Sequence, residues 1–330
     1  MDKDKARAKL RAAFKIKYKQ DIIQTVGIDA IETVDIIPTG VASLNAILGI
    51  GGYPRGRLVE LYGPEQSGKS TLCYCAMAEA QKLGLHCTYI DAEHALDIKY
   101  ARALGVQDGY TLIKPDSAEQ ALQAAYQLAK KGLTDLVVID SVAALVPQAE
   151  QESEITDTTM ALQARLMGKV CRFFVGMAAK TNATILFINQ IRMNIGTWGN
   201  PETTAGGKAL KFYSSIRLDV RKGKSIKKND EVIGITTKVK VIKNKLAIPY
   251  KKTEFDLMLG KGVNKAKDLG LVSKLLGVVT LKGAWVYHNE NQLCQGMDNL
   301  YIMLANDPIL FNTLEQDVLA LQRTNVIKEG

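Results

Sequence analysis

Residues 63–71 read Gly63-Pro64-Glu65-Gln66-Ser67-Gly68-Lys69-Ser70-Thr71, and no other stretch of the chain restricts its fold as tightly. The spacing is G-x-x-x-x-G-K-[ST], a loop that joins a strand to a helix and cradles phosphate. The apolar run Leu58-Val59-Glu60-Leu61-Tyr62 before it predicts the strand, and Ser70 to Lys82 after it predicts the helix. Gly63 and Gly68 are expected to let the backbone curl so that successive N–H groups face phosphate oxygens. The helix turns the positive end of its dipole toward the same anion. In such a loop Lys69 reaches the β- and γ-phosphates, and the Ser70 hydroxyl serves Mg²⁺. The loop alone does not say what the nucleotide is used for.

From about residue 40 to 220 the chain alternates strand-like and helix-like runs. The strands are Leu58–Tyr62, Cys87–Ile90, Leu136–Ile139 and Thr184–Ile188; the helices include Ala118–Lys131 and a long one from about Thr158 to Lys180. Continuous apolar strands separated by helices predict a mostly parallel sheet flanked by helices on both faces. Ligands in such folds sit at the carboxyl ends of the strands. Residues 212–258 read as further strands extending the sheet. From about 263 the pattern is short and mixed, punctuated by Gly262, Gly270, Gly277 and Gly283, and predicts a small α/β domain. Residues 3–19 read as a basic helix, with a short strand at Glu32–Ile36 after it. The expected division is 1–36, 37–262 and 263–330.

Three predicted strands end in polar residues suited to phosphate chemistry. Leu136–Ile139 delivers Asp140, the expected Mg²⁺-supporting carboxylate of a phosphate loop. Tyr89-Ile90 delivers Asp91, Glu93 and His94. Glu93 is chosen over Asp91 as the orienter of an attacking water, the competing reading of either being a loop-entry cap or an ion pair, and His94 is read as a structural partner. Phe187-Ile188 delivers Asn189 and Gln190. A long polar loop follows, Ile191 to Lys208, carrying Arg192 and Trp198. A basic, Gly-rich loop with an aromatic suits single-stranded nucleic acid.

Charge points the same way. The net charge is +9, and it is concentrated: 11 Lys/Arg against two acids between Arg221 and Lys252, and eight Lys/Arg against two Asp in residues 1–20. Basic patches of this kind attract polyanions. No run approaches the ~18 apolar residues of a membrane span, and the charged N-terminus carries no apolar signal core. Cys73, Cys75, Cys87, Cys171 and Cys294 lack metal or redox spacing, which suits reduced thiols in a cytoplasmic protein.

Taken together, these motifs resemble the RecA recombinase family, bacterial type, from about residue 30 to 265. The resemblance is carried by Gly63–Thr71, Ile90-Asp91-Ala92-Glu93-His94-Ala95-Leu96-Asp97, Asp140-Ser141-Val142-Ala143-Ala144-Leu145, Phe187–Gly196, Gly199–Thr204 with Gly206-Gly207, Ala209–Tyr213 and Val239–Lys245. It implies an α/β P-loop ATPase core, an N-terminal helix-and-strand polymerisation arm and a small C-terminal α/β domain. The implied activity is DNA-dependent ATP hydrolysis in a helical filament on single-stranded DNA that pairs with homologous double-stranded DNA. DNA repair and the SOS response are the implied setting, in bacterial cytoplasm or in a host's if the gene is a phage's.

Residue by residue, the resemblance implies that Gly63, Pro64, Glu65, Gln66, Ser67, Gly68, Lys69, Ser70 and Thr71 hold ATP. Ser70 and, through water, Asp140 would hold Mg²⁺. Glu93 would position the hydrolytic water and Gln190 would sense the γ-phosphate. Tyr100 would stack on adenine with Asp97 near its amino group. Lys243 and Lys245 would reach ATP on the neighbouring subunit. Loops at about 150–160 and 191–207 resemble the family's DNA-binding loops, with Met160, Arg165, Arg172, Arg192, Trp198, Gly206 and Gly207 at the first strand. Arg217, Arg221, Lys222, Lys238 and Lys240 fall in the region that resembles the duplex-binding site.

There are departures. Gly168 stands where a DNA-contacting Ser is common, Asn194 replaces a basic residue, and lysines replace some arginines, losing bidentate contacts. The chain ends Asn325-Val326-Ile327-Lys328-Glu329-Gly330 without an acidic tail, so readier duplex binding and a milder Mg²⁺ requirement are expected. The competing readings are a DNA-coating scaffold with weak hydrolysis and a ring-forming P-loop motor.

Overall fold

The computed structural model describes residues 3–19, 22–23, 34–154, 162–193 and 201–328, with side chains followed to 322. The chain divides into Met1–Val34 and Asp35–Gly330. In the first unit α1 (Lys3–Tyr18) is a helix with an Asp4–Arg7 ion pair at 3.1 Å and the Phe14 and Tyr18 rings 5.5 Å apart.

The second unit runs β1 (Ile36–Ile37), α2 (Ala42–Leu48), β2 (Tyr53–Pro54), β3 (Leu58–Gly63), α3 (Lys69–Lys82), β4 (Cys87–Asp91), α4 (Ile98–Ala103), β5 (Thr111–Ile113), α5 (Ala118–Lys130) and β6 (Leu136–Asp140). It continues through α6 (Gln148–Gln151), α7 (Leu162–Thr181), β7 (Thr184–Met193), β8 (Glu202–Thr204), α8 (Ala209–Tyr213), β9 (Ile216–Lys228), β10 (Glu231–Asn244), β11 (Lys252–Met258) and β12 (Gly262–Val263). The last elements are α9 (Lys265–Leu275), β13 (Val279–Lys282), β14 (Trp285–His288), β15 (Asn291–Gln295), α10 (Met297–Asn306) and α11 (Pro308–Lys328).

The main sheet has the order β5-β4-β6-β7-β3-β9-β10-β11-β12. From β5 to β9 neighbours are parallel, and β10, β11 and β12 are added antiparallel. Every residue of β4 and β6 is buried, as two covered faces require. Alternate strand residues feed separate cores. Val59, Leu61, Val138 and Ile188 pack toward Leu72 and Met77 of α3. Val137, Ile139, Ile185 and Phe187 pack toward Ala125 of α5 and Phe174 of α7. Each such Leu, Ile or Phe side chain contributes roughly 1.5–3 kcal/mol on burial.

A third core joins Leu269, Val272, Val279, Val286, Leu300, Leu304, Leu314 and Val318 in the small C-terminal sheet domain, where β13-β14-β15 is an antiparallel meander. Gly270 is no punctuation: it lies inside α9, and a Cβ there would stand 2.7 Å from the Tyr301 ring on α10. The glycine lets two helices touch.

Other expectations shift in detail. Glu32 and Thr33 lie outside the described residues, and Ile36 pairs with Pro54 inside its own unit. The start of the long helix expected from Thr158 also falls outside; the described helix is Leu162–Thr181. Residues 191–193 and 202–204 form a ladder between β7 and β8, so the expected loop begins as strand and contains a second short strand before the turn at 205–208.

Candidate functional site

The parallel order puts β4, β6, β7 and β3 side by side, so their carboxyl ends open onto one crevice. Asp91 is level with Asp140, and Gly63 with Gln190. The phosphate loop, Glu93, Asp140 and Gln190 therefore meet because of topology, although 127 residues separate Gly63 from Gln190.

The loop leads straight from β3 into α3, whose first residue is Lys69. Gly68 has φ +98°, a left-handed conformation that a side chain disfavours, and a Cβ there would meet Leu257 of β11. Gly63 needs no such freedom. Its φ is not positive, and what a side chain would strike is the Val220 carbonyl of β9. The expected curl at Gly63 is thus corrected to a close approach of strands. Ser67 Oγ donates to Pro64 O at 2.9 Å, and Thr237 Oγ1 of β10 donates to Ser67 O at 3.2 Å. Lys69 Nζ donates to Pro64 O at 2.7 Å and Gly63 O at 3.1 Å. Burial lowers the lysine pKa, while Asp140 and Glu93 oppose that shift. The ammonium is held at the loop by two neutral backbone carbonyls, weaker acceptors than the charged oxygens of a phosphate would be.

Ser70 Oγ donates to Asp140 Oδ2 at 2.8 Å. Tyr89 of β4 donates to the same oxygen at 2.6 Å. Burial raises the Asp140 pKa; the Tyr89 and Ser70 hydrogen bonds counter it. A hydroxyl and a carboxylate at a helix start fit Mg²⁺, which keeps several waters and takes its remaining ligands from one or two side chains and phosphate. No cluster of three or more His, Cys, Asp or Glu suited to a metal occurs among the described residues.

Beside this corner Glu93 Oε1 accepts from Ser141 Oγ at 2.5 Å and from Gln190 Nε2 at 3.1 Å. Glu93 is thereby held by Ser141, the residue that follows β6, and by Gln190 of β7. Asp91 does something different: its carboxylate accepts the Ala95 and Leu96 backbone N–H groups at 2.9 and 3.2 Å, capping the loop after β4. His94 is exposed, with φ +54°.

A cleft of about 580 Å³ adjoins the loop, lined by Gln66, Gly68, Thr71, Asp97, Tyr100, and Leu257 to Gly260. That volume is in the range of small-molecule sites. Tyr100 Oη and Thr71 Oγ1 are 3.1 Å apart, which ties α4 to α3. Asp97 caps α4 by accepting from Tyr100 N at 2.9 Å.

Lys243 and Lys245 lie elsewhere. Lys243 pairs with Arg217 and Lys240 with Asp219, while Asp219 is level with Tyr62. Lys243 is therefore roughly 10 Å back along the sheet from the loop end. Its Nζ donates to Lys211 O at 2.7 Å and Phe212 O at 2.9 Å, and Lys245 Nζ reaches Phe212 O at 3.5 Å. Burial, then Lys245 and Arg217, lower the Lys243 pKa. Neither lysine serves the phosphate loop of its own chain in this arrangement.

The polyanion-binding candidates separate into groups. Gly206 and Gly207, both left-handed (φ +76° and +75°), pack on the first turns of α7: a Cβ at Gly206 would meet Val142 and Met167, and at Gly207 Ala164. This brings the two glycines beside exposed Arg165, with exposed Arg172 further along α7. Exposed Arg192 pairs with Thr203 in the β7–β8 ladder. Met160 and Trp198 lie outside the described residues.

Arg217 must be withdrawn from the duplex-binding set. It is 8% exposed, its Nε lies 2.5 Å from Oε2 of fully buried Glu60, and its guanidinium sits 4.7 Å from the Tyr62 ring centroid. Arg221, Lys238 and Lys240 share one face of the β9–β10 ribbon, but alternation puts Lys222 on the other, level with Thr237. Arg221 is engaged: it donates to both Glu202 oxygens, at 2.9 and 2.5 Å, and to Asp219 at 2.5 Å. The Arg221 bonds hold the Glu202 carboxyl below its usual range.

Sequence reasoning missed Tyr89, Ser141, Thr237 and the Leu257–Gly260 wall. Ser141 was legible from its place beside Asp140; the others depend on strand neighbours.

The RecA N-terminal domain family model matches residues 8–264. The chain is 48% identical to Protein RecA of Syntrophus aciditrophicus over 322 residues, covering 96% of this chain and 94% of that one. It is 49% identical to Protein RecA of Geobacter sulfurreducens over 305 residues, 92% of this chain and 90% of that one. Protein RecA 2 of Myxococcus xanthus is 47% identical over 322 residues, 96% and 90% of the two chains. With a phosphate loop at the edge of a crevice built from four parallel strand ends, and with relatives matched along almost their full length, this chain belongs to the RecA family.

Proposed function

We propose that the chain is an ATP-dependent recombination protein that assembles on single-stranded DNA, pairs it with homologous duplex and promotes strand exchange. The observation that carries the reading is the triad at the strand ends: Glu93 held by Gln190 and Ser141, next to Ser70 on Asp140. Phosphoryl transfer needs positioning and charge stabilisation more than covalent chemistry, and these residues supply both. Lys69 and the α3 N-terminus bind phosphate. Glu93 orients water and accepts its proton. Ser70 and, through water, Asp140 would hold Mg²⁺, which when bound neutralises charge on the β- and γ-phosphates. Gln190 lies at the start of the 191–207 loop, so a γ-phosphate that draws its amide from Glu93 acts on the chain leading to Gly206-Gly207. Tyr100 and the Leu257–Gly260 wall take the base.

The remote seat of Lys243 and Lys245 supports their action on a neighbouring copy's nucleotide, so hydrolysis depends on assembly. The chain's partners are then DNA and its own copies. Among the described residues no helix is long and apolar enough to cross a membrane, and we place the protein in cytoplasm.

A strand-exchange assay with Glu93→Gln and Lys69→Ala beside the unmodified protein tests this. Unmodified protein should exchange strands; Glu93→Gln should bind ATP and DNA yet hydrolyse at least ~100-fold slower, and Lys69→Ala should lose nucleotide binding. Closed rings without filaments in electron micrographs refute the reading, and filaments without exchange leave a scaffold.

A further inference from the structure

Tyr89 is a residue of a buried strand, and its ring packs in the core on Tyr74 with centroids 5.6 Å apart. A buried phenol needs a partner for its O–H. The Tyr74 hydroxyl is within reach at 3.4 Å, yet the short bond, 2.6 Å, goes to Asp140 Oδ2. Ser70 donates to that same oxygen. Among the described residues Oδ1 receives no side-chain donor, so the two hydroxyls load one carboxylate oxygen and leave the other for a water of the metal shell. Asp140 and Tyr89 come from adjacent parallel strands whose register puts Tyr89 level with Val138, two residues before the carboxylate. The phenol therefore approaches from beneath, inside the core, where it is 1% exposed.

We propose that Tyr89 is a positioning residue for the Mg²⁺-supporting carboxylate: its hydroxyl fixes the rotation of Asp140, so that Ser70 and Oδ1 face the metal together. This rests on the nucleotide-binding reading above. Outer-shell donors of this kind orient carboxylates and tune metal affinity. Tyr74 shares the ring stack, and its hydroxyl oxygen lies 3.4 Å from that of Tyr89 with no bond to Asp140. The two tyrosines thus make a matched pair, one hydroxyl on the carboxylate and one a step removed.

The experiment titrates Mg²⁺ into protein with a fluorescent ADP analogue and reads the half-saturating Mg²⁺ concentration for nucleotide binding, then repeats it for Tyr89→Phe and Tyr74→Phe. Tyr89→Phe should raise it roughly three- to tenfold, less than in fully protein-ligated sites because phosphate and water supply most ligands. Binding measured in EDTA should be unchanged, and hydrolysis at saturating Mg²⁺ should recover to within about twofold. Tyr74→Phe, which removes an equal buried hydroxyl from the same stack, should leave the Mg²⁺ midpoint in place. A Tyr89→Phe midpoint equal to the parent's, or an equal shift in both variants, overturns the proposal while leaving nucleotide binding standing. An unmodified protein that binds no nucleotide overturns both.

Discussion

Replacing Arg217 by Ala separates two roles that a basic residue in a basic ribbon can have. In the structure Glu60 is fully buried, and its carboxylate has two partners, Arg217 on Oε2 and the Asn189 amide on Oε1 at 2.9 Å. Removing the guanidinium leaves a buried carboxylate with one neutral donor. Breaking a buried pair in this way costs roughly 3–5 kcal/mol, and loss of the contact over the Tyr62 ring adds about 0.5–1 kcal/mol. For a folding unit this large, at about 2 cal/mol/K of unfolding entropy per residue, that corresponds to a fall in Tm of roughly 6–10 °C. Urea unfolding and thermal melts measure it. Arg217→Met combined with Glu60→Gln leaves no unpaired charge and should recover more than half of the loss. Duplex binding at a temperature where the variant is folded supplies the opposite test. A lost phosphate contact lowers the slope of log affinity against log salt by about one; a core residue leaves it unchanged. An unaltered melting temperature together with a slope reduced by one would refute the burial argument and return Arg217 to the DNA-binding face.

Three further outcomes follow from local geometry. Glu202→Gln removes one of the two carboxylates on Arg221 and should strengthen duplex binding several-fold at low salt, with a slope steeper by about one; unchanged binding would mean that Arg221 never meets DNA. Gly68→Ala forces a side chain into a left-handed residue against Leu257, and should cost about 1–3 kcal/mol of stability and weaken nucleotide binding more than ~10-fold, measured by a fluorescent analogue. Asp268 is buried under α2, accepts Ser43 N at 3.1 Å, and has its pKa raised by burial. A carboxyl that binds its proton more tightly when folded makes stability fall as pH rises from the unfolded value near 4 through the raised one. Asp268→Asn should remove that slope and be at least as stable as the parent near pH 7, with the difference closing toward about pH 4; urea unfolding across that range checks it.

What the sequence disclosed, and what it withheld, have separate physical causes. The phosphate loop, Glu93, Asp140 and Gln190 each end a continuous apolar run, and a parallel sheet must gather such ends on one edge. Their convergence was therefore legible without coordinates. Arg217, Lys222 and Tyr89 were not, because a strand residue's surroundings depend on which neighbour lies beside it and at what register. The β9–β10 ribbon carries three register shifts, so counting charges along it could not say which lysines and arginines share a face. Gly63 and Gly270 show the same thing in reverse: both read as turn glycines, and both are sites where another element comes too close for a Cβ. Tyr89 combines these cases. In an apolar strand it reads as core, and it is core, but the neighbouring strand ends in Asp140, the carboxylate proposed to support Mg²⁺. A residue can thus be wholly buried by the fold and still set the geometry of the site, and its hydroxyl, not its ring, is the part that the Mg²⁺ titration would detect.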